Sequence, residues 1–489
     1  MLFMGIDVGS SGCKVSVVNE TGDIVQSSHR EYSFSYDGDK IELSPNLVLE
    51  KVKEAVREIT VEKPTAKIDA LSATSFGEMV ILLDDEGTPL SDSISYSDTR
   101  GQKQIGEFSE TFGEDKIYSV TGTTPDAMYS LAKLLWFKEN KPEIFSKAKK
   151  ICLFADFVLQ NLGADYHMDY SLASRTQMFD VKNRKWSSEI VSASGIDENI
   201  LPPLVSSGTP VGRVSKIAGE EFGLDENTLI LAGGHDQCFA SLGAGVISGG
   251  MALDGMGSNE CIVPVFDSPL INDTMKKSSF ACVPYILKGK YVTYAFNRSS
   301  GTVIDWYRKL RENLDYEKLF SNLKNEPSKV LCLPHFSGAA TPYMDDDAQG
   351  AIVGLDLSVS ADDITKGIID GLNYEMKINL DALFECGQKV EKLYVSGGLS
   401  KSDLVLQTKA DILAMDIYRL KTPHTGTLAV AILASVALGI YPSLEVAVKK
   451  MVHTEKVFTP NMENHQKYMK QYKKYKKMYE CIKIMTEDE

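Results

Sequence analysis

The sequence contains few cysteines and no long apolar run. Its 489 residues include 8 cysteines, and no two of them form a Cys-x-x-Cys pair. Scattered cysteines of this kind predict reduced, mostly buried thiols in a cytoplasmic protein. The longest apolar run, residues 428–440, is too short to cross a bilayer, and its alanines favour a buried helix. The first residues lack a cationic leader, so we expect no secretory signal and no membrane partner.

The sequence also lacks an excess of positive charge. It has 52 Lys and Arg against 67 Asp and Glu, which gives a net charge of -15. A surface this acidic repels polyphosphate backbones, so nucleic acid is excluded as an expected partner. Any phosphate-bearing ligand must then be held by local donors and a divalent ion. The length predicts two or more domains.

Strand and helix patterns alternate along the first part of the chain. Apolar periodicity predicts strands over residues 68–75 and 80–84, and a helix over residues 45–60 with Leu47 and Val48 on its buried face. This alternation predicts an α/β fold. Near the other end, residues 464–484 predict a solvated amphipathic helix, with a membrane-surface role as the weaker alternative.

The first candidate site is a hairpin turn near the N-terminus. Residues 2–8 are apolar, residues 9–12 have turn composition, and a strand pattern resumes up to residue 19. Backbone N–H groups at such a turn can approach phosphate oxygens, and a preceding Asp can hold hydrated Mg²⁺. The alternative is an ordinary hairpin turn. The candidate phosphate and metal residues are Asp7, Gly9, Ser10, Ser11 and Lys14.

The second candidate is Asp236, which follows an apolar run and two glycines. A carboxylate at the end of a strand can reach a substrate hydroxyl and act as a general base. The alternative is that Asp236 caps a helix, since residues 237–244 have a helical pattern.

Two further glycine turns have the composition of ligand-binding loops. Gly257 and Ser258 lie between two strand patterns in residues 251–265, which faintly echo the N-terminal hairpin. We therefore predict two domains, residues 1–245 and 246–489. Gly397 and Gly398, with Ser400 after them, follow another strand, where a flat ring or a phosphate could lie against the backbone.

Asp98 and Arg100 form a possible sugar clamp. They are two residues apart on an extended segment, so their side chains point to the same side. A carboxylate and a guanidinium can together bind several hydroxyls. The alternative is a surface ion pair.

In this order, the segments resemble the FGGY carbohydrate kinases, which belong to the actin, Hsp70 and hexokinase superfamily. Residues 128–140 fit the first signature of that family at every constrained position. Residues 350–370 fit the second signature except at Gly367, where Ala or Ser is expected. Further family-like stretches are 169–175, 201–204 and 341–343.

The resemblance implies two actin-like α/β domains with the active site in the cleft between them. It implies ATP and Mg²⁺ as cofactors, a small sugar as substrate and Asp236 as the catalytic base. A homodimer is one possible assembly. By the same resemblance, the two hairpins bind phosphate, Gly397 and Gly398 bind adenosine, and Asp98 and Arg100 contact the sugar.

Departures from the family concern the sugar pocket. Residues 76–79, which include Gly77 and Glu78, stand where many xylulose kinases have Gln-Met-His-Gly, so Glu78 replaces the histidine, and Tyr96 replaces a Trp. Glu78 predicts a neutral ketose or polyol, because a second carboxylate on the substrate would be repelled. Xylulose is the first candidate, with ribulose, rhamnulose, erythritol, gluconate and glycerol as alternatives. Two other classes stay open: an actin- or Hsp70-like ATPase and an inactive sugar sensor.

Overall fold

The structure, a computed structural model, describes residues 1–64 and 67–486 and contains two large mixed sheets. Strands from residues 2 to 235 form the first sheet, and strands from residues 251 to 458 form the second. The predicted α/β class is therefore confirmed. The division that we predict at residues 245 and 246 lies between these two sheets. Residues 487–489, the end of the predicted second domain, lie outside the described residues.

In chain order, the first sheet begins with the predicted hairpin, formed by Leu2–Val8 and Gly12–Asn19. Its strands run in the order Pro210–Arg213, Leu229–Leu231, Ala70–Ser75, Leu2–Val8, Gly12–Asn19 and Ile24–Glu31, with Gly234–His235 also paired to Ala70–Ser75. Shorter ladders join Ser35–Asp37, Lys40–Leu43 and Ser93–Ile94; Ile81–Leu83 and Lys150–Cys152; Met168–Asp169 and Leu204–Val205; and Phe179–Asp180 and Lys185–Trp186.

Helices surround this sheet. They are Pro45–Arg57, Gln102–Phe112, Glu114–Thr121, Ser130–Asn140, Pro142–Phe145, Phe154–Leu162, Tyr170–Ser174, Ser188–Ser194, Lys216–Phe222 and Asp236–Gly243, with a π turn at Glu58–Glu62 and a 3-10 turn at Glu198–Ile200. The first of these helices starts on a proline, which suits the first helical position. Its residue Leu47 is 39% exposed, so its predicted place on the buried face is wrong, whereas Val48 is buried.

The second sheet repeats the hairpin arrangement. Its order is Val283–Pro284, Tyr291–Val292, Glu260–Phe266, Met251–Met256, Lys392–Ser396, Ile417–Leu420 and Thr454–Phe458, with Ala295–Asn297 beside Glu260–Phe266 and a separate ladder of Leu331–Leu333 and Ala351–Val353. The helices are Asp273–Lys277, Gly301–Leu310, Tyr316–Phe320, Ala361–Glu385, Asp403–Leu413, Thr425–Ala437, Leu444–Met451, Met462–Tyr475 and Met478–Thr486, with a 3-10 turn at Leu399–Lys401.

Two helices join the halves of the molecule. Helix Asp236–Gly243 of the first half packs against helix Thr425–Ala437 of the second. A Cβ atom on Gly243 would lie 1.8 Å from the carbonyl oxygen of Thr425, so this contact requires glycine. Helix Thr425–Ala437 is buried, as its apolar run predicts. Both helices begin at the cleft, where the candidate catalytic residues lie.

The C-terminal segment differs from the prediction. It forms two helices, Met462–Tyr475 and Met478–Thr486, and Tyr468, Tyr472 and Tyr475 are buried against the second domain. The prediction of one solvated helix is wrong, because tyrosine rings supply the apolar face that a count of aliphatic residues misses.

A buried ion cluster lies behind the second hairpin. The ammonium group of Lys409 is 2.5 Å from a carboxylate oxygen of Asp254 and 2.5 Å from one of Glu260, and none of the three side chains is more than 1% exposed. Glu260 also accepts a hydrogen bond from Ser300, the residue before helix Gly301–Leu310. The cluster therefore ties the base of the hairpin to the start of that helix.

All eight cysteines are free thiols, and six of them are buried, as predicted. Within residues 1–64 and 67–486, no helix is long and apolar enough to cross a membrane.

Candidate active site

The carboxylate of Asp7 and the ammonium group of Lys14 stand side by side at the first hairpin. The two residues are direct partners across strands Leu2–Val8 and Gly12–Asn19. The Gly9 N–H donates to the Gly12 carbonyl at 2.9 Å and closes the turn. Desolvation raises the pKa of Asp7 to about 6, while Lys14 acts in the opposite direction. A carboxylate and a cation beside an open turn suit a metal–phosphate group.

Asp236 reaches the same edge of the first sheet. Thr74 lies on the strand between Asp7 and Gly234 and pairs with both residues. Asp236, two residues after Gly234, is thereby brought towards Asp7. Asp7 and Asp236 line one cavity of about 240 Å³, together with Lys14. Helix Asp236–Gly243 begins at Asp236 and His235 holds its N-cap position, so the N-cap alternative for Asp236 is wrong.

The environment of Asp236 gives its carboxylate a high proton affinity. Its pKa is raised to about 8, chiefly by desolvation and then by the negative charges of Asp7 and Glu78. The Gln237 N–H, which donates to Asp236 at 2.6 Å, and the cation of Arg175 act in the opposite direction. The side chain is 31% exposed and so remains accessible from the cleft. A reachable carboxylate with a pKa near the working pH is suited to general base catalysis.

Glu78 is buried, is paired with Arg175 and places a negative charge near Asp236. Its side chain is 6% exposed, so it does not point to solvent. Nε and Nη2 of Arg175 each lie 2.5 Å from Oε1 of Glu78. Gly77 leaves the space that Arg175 occupies, because a Cβ atom there would lie 2.6 Å from Cγ of Arg175. The sequence placed Arg175 in a family-like stretch but gave it no role, since its partner is 97 residues away.

Asp98 and Arg100 satisfy each other instead of facing the cavity. Asp98 is 2% exposed, and its carboxylate accepts hydrogen bonds from Arg100 and from the Ile41 N–H. Arg100 also donates to Glu42 at 2.6 Å, and Lys133 donates to the backbone carbonyls of both Asp98 and Arg100. Both oxygens of Asp98 are thus committed within the protein. The sugar contacts predicted for Asp98 and Arg100 stay a prediction, since in this structure the two side chains pair with each other.

Further residues lie around the hairpin turn, and two that the sequence did not single out reach the cavity from the second half. Tyr96 is half-buried and packs against Phe76, while Ser10 is half-buried and Ser11 is exposed at the turn. From the second half, Thr425 and Gly426 reach the cavity at the start of helix Thr425–Ala437. Their N–H groups belong to the first turn of a helix, where anions are favoured. The detectable signal was the run Thr-Gly-Thr before an apolar helix.

The second hairpin turn and the later glycine turn meet at a larger cavity. Gly257, Ser258 and Gly398 line a space of about 880 Å³, to which Tyr316 and Phe320 contribute aromatic rings. Glycine backbone on one side and aromatic rings on the other suit a flat heterocycle. The structure therefore brings together two predicted loops that are about 140 residues apart in sequence.

Gly397 and Ser400 shape this turn from behind and do not line the cavity. Gly397 has φ 106°, and a Cβ atom on it would lie 2.4 Å from the carbonyl oxygen of Met256. The Ser400 hydroxyl donates to the Gly397 carbonyl at 2.7 Å. Both residues thus support the turn, and their predicted role as ligand contacts stays a prediction.

The residues in the small cavity fit a magnesium ion. Mg²⁺ keeps several waters and takes only one or two protein carboxylates. Asp7 and Asp236 supply two carboxylates to one cavity. No cluster of three or more His, Cys, Asp or Glu side chains that could enclose a metal occurs in the part of the chain that the structure describes. The donor set is thus the sparse one that Mg²⁺ prefers.

Comparison with known proteins agrees with this geometry. The model of the FGGY family of carbohydrate kinases, N-terminal domain, matches residues 2–243, and the C-terminal domain model matches residues 261–438. Together they cover most of the chain. Gly367 stands where the family signature expects Ala or Ser. A Cβ atom there would lie 2.9 Å from the carbonyl oxygen of Val330, which explains the glycine.

Individual relatives point to the same family. A xylulose kinase from Bacillus subtilis (strain 168) is 28% identical over 95% of this chain and 94% of its own length. A gluconokinase from the same strain is 26% identical over 95% and 93%. The crystal structure of a ligand-bound xylulose kinase from Lactobacillus acidophilus superposes with a TM-score of 0.91, at 24% identity and 98% coverage of both chains. The chain therefore belongs to the FGGY family of carbohydrate kinases.

Proposed function

We propose that this chain transfers the γ-phosphoryl group of ATP to a hydroxyl of a neutral ketose or polyol, with Asp236 as the general base and Mg²⁺ at Asp7. The observation that carries this proposal is the shared cavity of Asp236, Asp7 and Lys14. The larger cavity at Gly257 and Gly398 would hold the adenosine.

The residues of the cavity have distinct tasks in this reaction. Asp236 accepts the proton of the substrate hydroxyl, which then attacks the phosphoryl group in line. Lys14 and the N–H groups of the two hairpin turns stabilise charge on the phosphoryl oxygens. A magnesium ion held by Asp7 would neutralise charge on ATP. Most of the rate enhancement then comes from positioning and electrostatics.

The charge of the cavity supports a neutral substrate. Arg175 compensates the charge of Glu78, so Glu78 repels an acidic substrate less than an unpaired carboxylate would. Once Asp236 is ionised, as a general base must be, Asp7 and Asp236 outnumber Lys14, and a sugar acid would add a further negative charge. The named relatives act on xylulose and gluconate. We place D-xylulose first, followed by L-ribulose, L-rhamnulose, erythritol and glycerol, with gluconate last.

A coupled assay of ADP release tests this proposal. Wild-type protein is supplied with MgATP and, in turn, each ketose, polyol and sugar acid. We expect release that depends on a neutral sugar and on Mg²⁺. In Asp236→Asn, turnover should fall by orders of magnitude while the KM for ATP stays similar, since the amide keeps the shape but cannot take a proton.

Three outcomes would contradict the proposal. Release without any sugar would indicate an ATPase, and no release under any condition would indicate a sensor. A preference for gluconate over every neutral sugar would refute the charge argument. The homodimer and the cytoplasmic location stay predictions.

A further inference from the structure

Arg175 occupies an unusual position for a charged side chain. It is 4% exposed and lies between the rings of Tyr129 and Tyr294, 5.1 and 5.2 Å from the two ring centroids. Tyr129 precedes helix Ser130–Asn140 in the first half, whereas Tyr294 follows strand Tyr291–Val292 in the second. Two aromatic faces, one from each half of the molecule, therefore hold the guanidinium plane in place.

The guanidinium is not fully satisfied by the protein. Nε and Nη2 contact Glu78, but Nη1 is buried without a hydrogen-bond partner. Buried donors are nearly always paired, because a lost hydrogen bond to water is otherwise not replaced. Arg184 also has a buried nitrogen without a partner, so this feature alone assigns no role. Arg175 differs because it pairs with Glu78 and shares Tyr294 with His235, the neighbour of Asp236, and this position points to a role at the site.

The backbone of Glu78 is also held in a costly conformation. Glu78 has φ 66°, in the left-handed region that favours glycine. Its carbonyl accepts a hydrogen bond from the Ser130 hydroxyl at 2.5 Å. Strain of this kind persists only where the surroundings fix it, and it concentrates at functional sites. Backbone strain and Arg175 together define where the Glu78 carboxylate points.

The same cluster reaches the catalytic base. The hydroxyl of Tyr294 lies 3.0 Å from Nδ1 of His235, and Nδ1 lies 3.4 Å from Oδ1 of Asp236. Burial, with the charge of Arg175, keeps the pKa of His235 well below its usual value, so the imidazole is neutral. Tyr294 thus touches both the arginine that holds Glu78 and the residue next to the base.

We propose that Arg175 is a positioning residue for substrate recognition, which holds the Glu78 carboxylate against the bound sugar and is itself clamped by Tyr129 and Tyr294 from the two halves of the chain. The pocket is then complete only when both halves contribute. This inference rests on the proposed function through the assignment of Glu78 to the sugar pocket. It predicts that changes at Arg175 act on the sugar and not on the nucleotide.

The test compares variants of two similar arginines. Arg184 also lies between two tyrosine rings, those of Tyr170 at 5.7 Å and Tyr291 at 5.4 Å, and also has a buried unpaired nitrogen, but it has no carboxylate partner in the described structure. Arg175→Met should raise the KM for sugar by about 10- to 100-fold, with the KM for ATP changed by no more than about twofold. Arg184→Met should leave both KM values unchanged.

A double-mutant cycle separates positioning from general support. If Arg175 acts through Glu78, adding Arg175→Met to Glu78→Gln should change the KM for sugar by no more than about twofold. The double variant also removes both buried charges, so it keeps the test decisive if Arg175→Met alone fails to fold. Additive effects in the cycle, or equal effects of Arg175→Met and Arg184→Met, would overturn the inference.

Calorimetric binding of D-xylulose in the presence of MgADP separates this inference from the proposed function. Arg175→Met should weaken sugar binding by the same factor as the KM changes. A wild-type protein that binds sugar without turnover would contradict the proposed function, yet weaker binding by the variant would still support the role of Arg175. Equal binding by the wild type and Arg175→Met would overturn the inference alone.

Discussion

The raised pKa of Asp236 predicts an alkaline-shifted pH dependence. A base with a pKa of about 8 is ionised in only about a tenth of the molecules at pH 7. The value of kcat/KM should therefore rise about tenfold from pH 7 to a plateau above about pH 9. An unperturbed carboxylate would instead give a profile that is flat from about pH 6 upwards.

Glu78→Gln perturbs this pKa in a defined direction. Glu78 is one of the negative charges that raise the pKa of Asp236, so its removal should move the acidic limb of the profile to lower pH. Glu42→Gln is a matched control, because Glu42 also pairs with an arginine but lies in the separate Asp98 cluster. The control should leave the limb in place.

The assay is ADP release at concentrations of sugar and MgATP well below their KM values. Under these conditions the pH dependence of the rate gives the pKa values of the free enzyme. An acidic limb near pH 4 in the wild type would refute the reasoning, and so would an identical limb in Glu78→Gln.

Three further outcomes follow from burial and backbone geometry. Asp236→Asn should melt at a higher temperature than the wild type at pH 8 and at the same temperature at pH 4. The pKa of Asp236 is raised from 3.8 to about 8 in the folded state, so the native wild type binds an extra proton between these pH values. Its stability therefore falls as the pH rises from 4 to 8, whereas that of the variant does not. Gly397→Ala should raise the KM for ATP at least about tenfold, whereas Gly387→Ala, with φ 85° but open space around it, should leave that KM unchanged. Lys409→Met should lower the free energy of unfolding in urea by about 3–5 kcal/mol, because two carboxylates stay buried without their cation; a loss below about 1 kcal/mol would contradict this.

Local features of the site could be predicted because neighbours in sequence determine them. Asp7 and Lys14 are brought together by a single hairpin, whose turn composition and apolar strand are visible in the chain. The helix after Asp236 is equally visible, although only the structure shows that it begins at Asp236 itself. The glycines of both later turns were predicted for the same reason, since a left-handed or close-packed backbone restricts the residue type.

The sequence alone does not decide between two uses of the same local pattern. Asp98 and Arg100 look like a clamp for a ligand, but two residues apart they can also bind each other. The Ile41 N–H also donates to Asp98, and Arg100 also donates to Glu42. Ser400 likewise donates to Gly397 instead of a ligand. The sequence shows which groups can form hydrogen bonds, but not which partners they find.

By itself the sequence determined the class of fold, the family, the hairpins and the identity of the candidate base, because each depends on short-range pattern. Only the tertiary structure decided that Arg175 pairs with Glu78 from 97 residues away, and that rings from both halves hold it. It also decided the proton affinity of Asp236. A pKa depends on desolvation and on nearby charges, here those of Asp7, Glu78 and Arg175, which surround Asp236 only once distant segments are packed together.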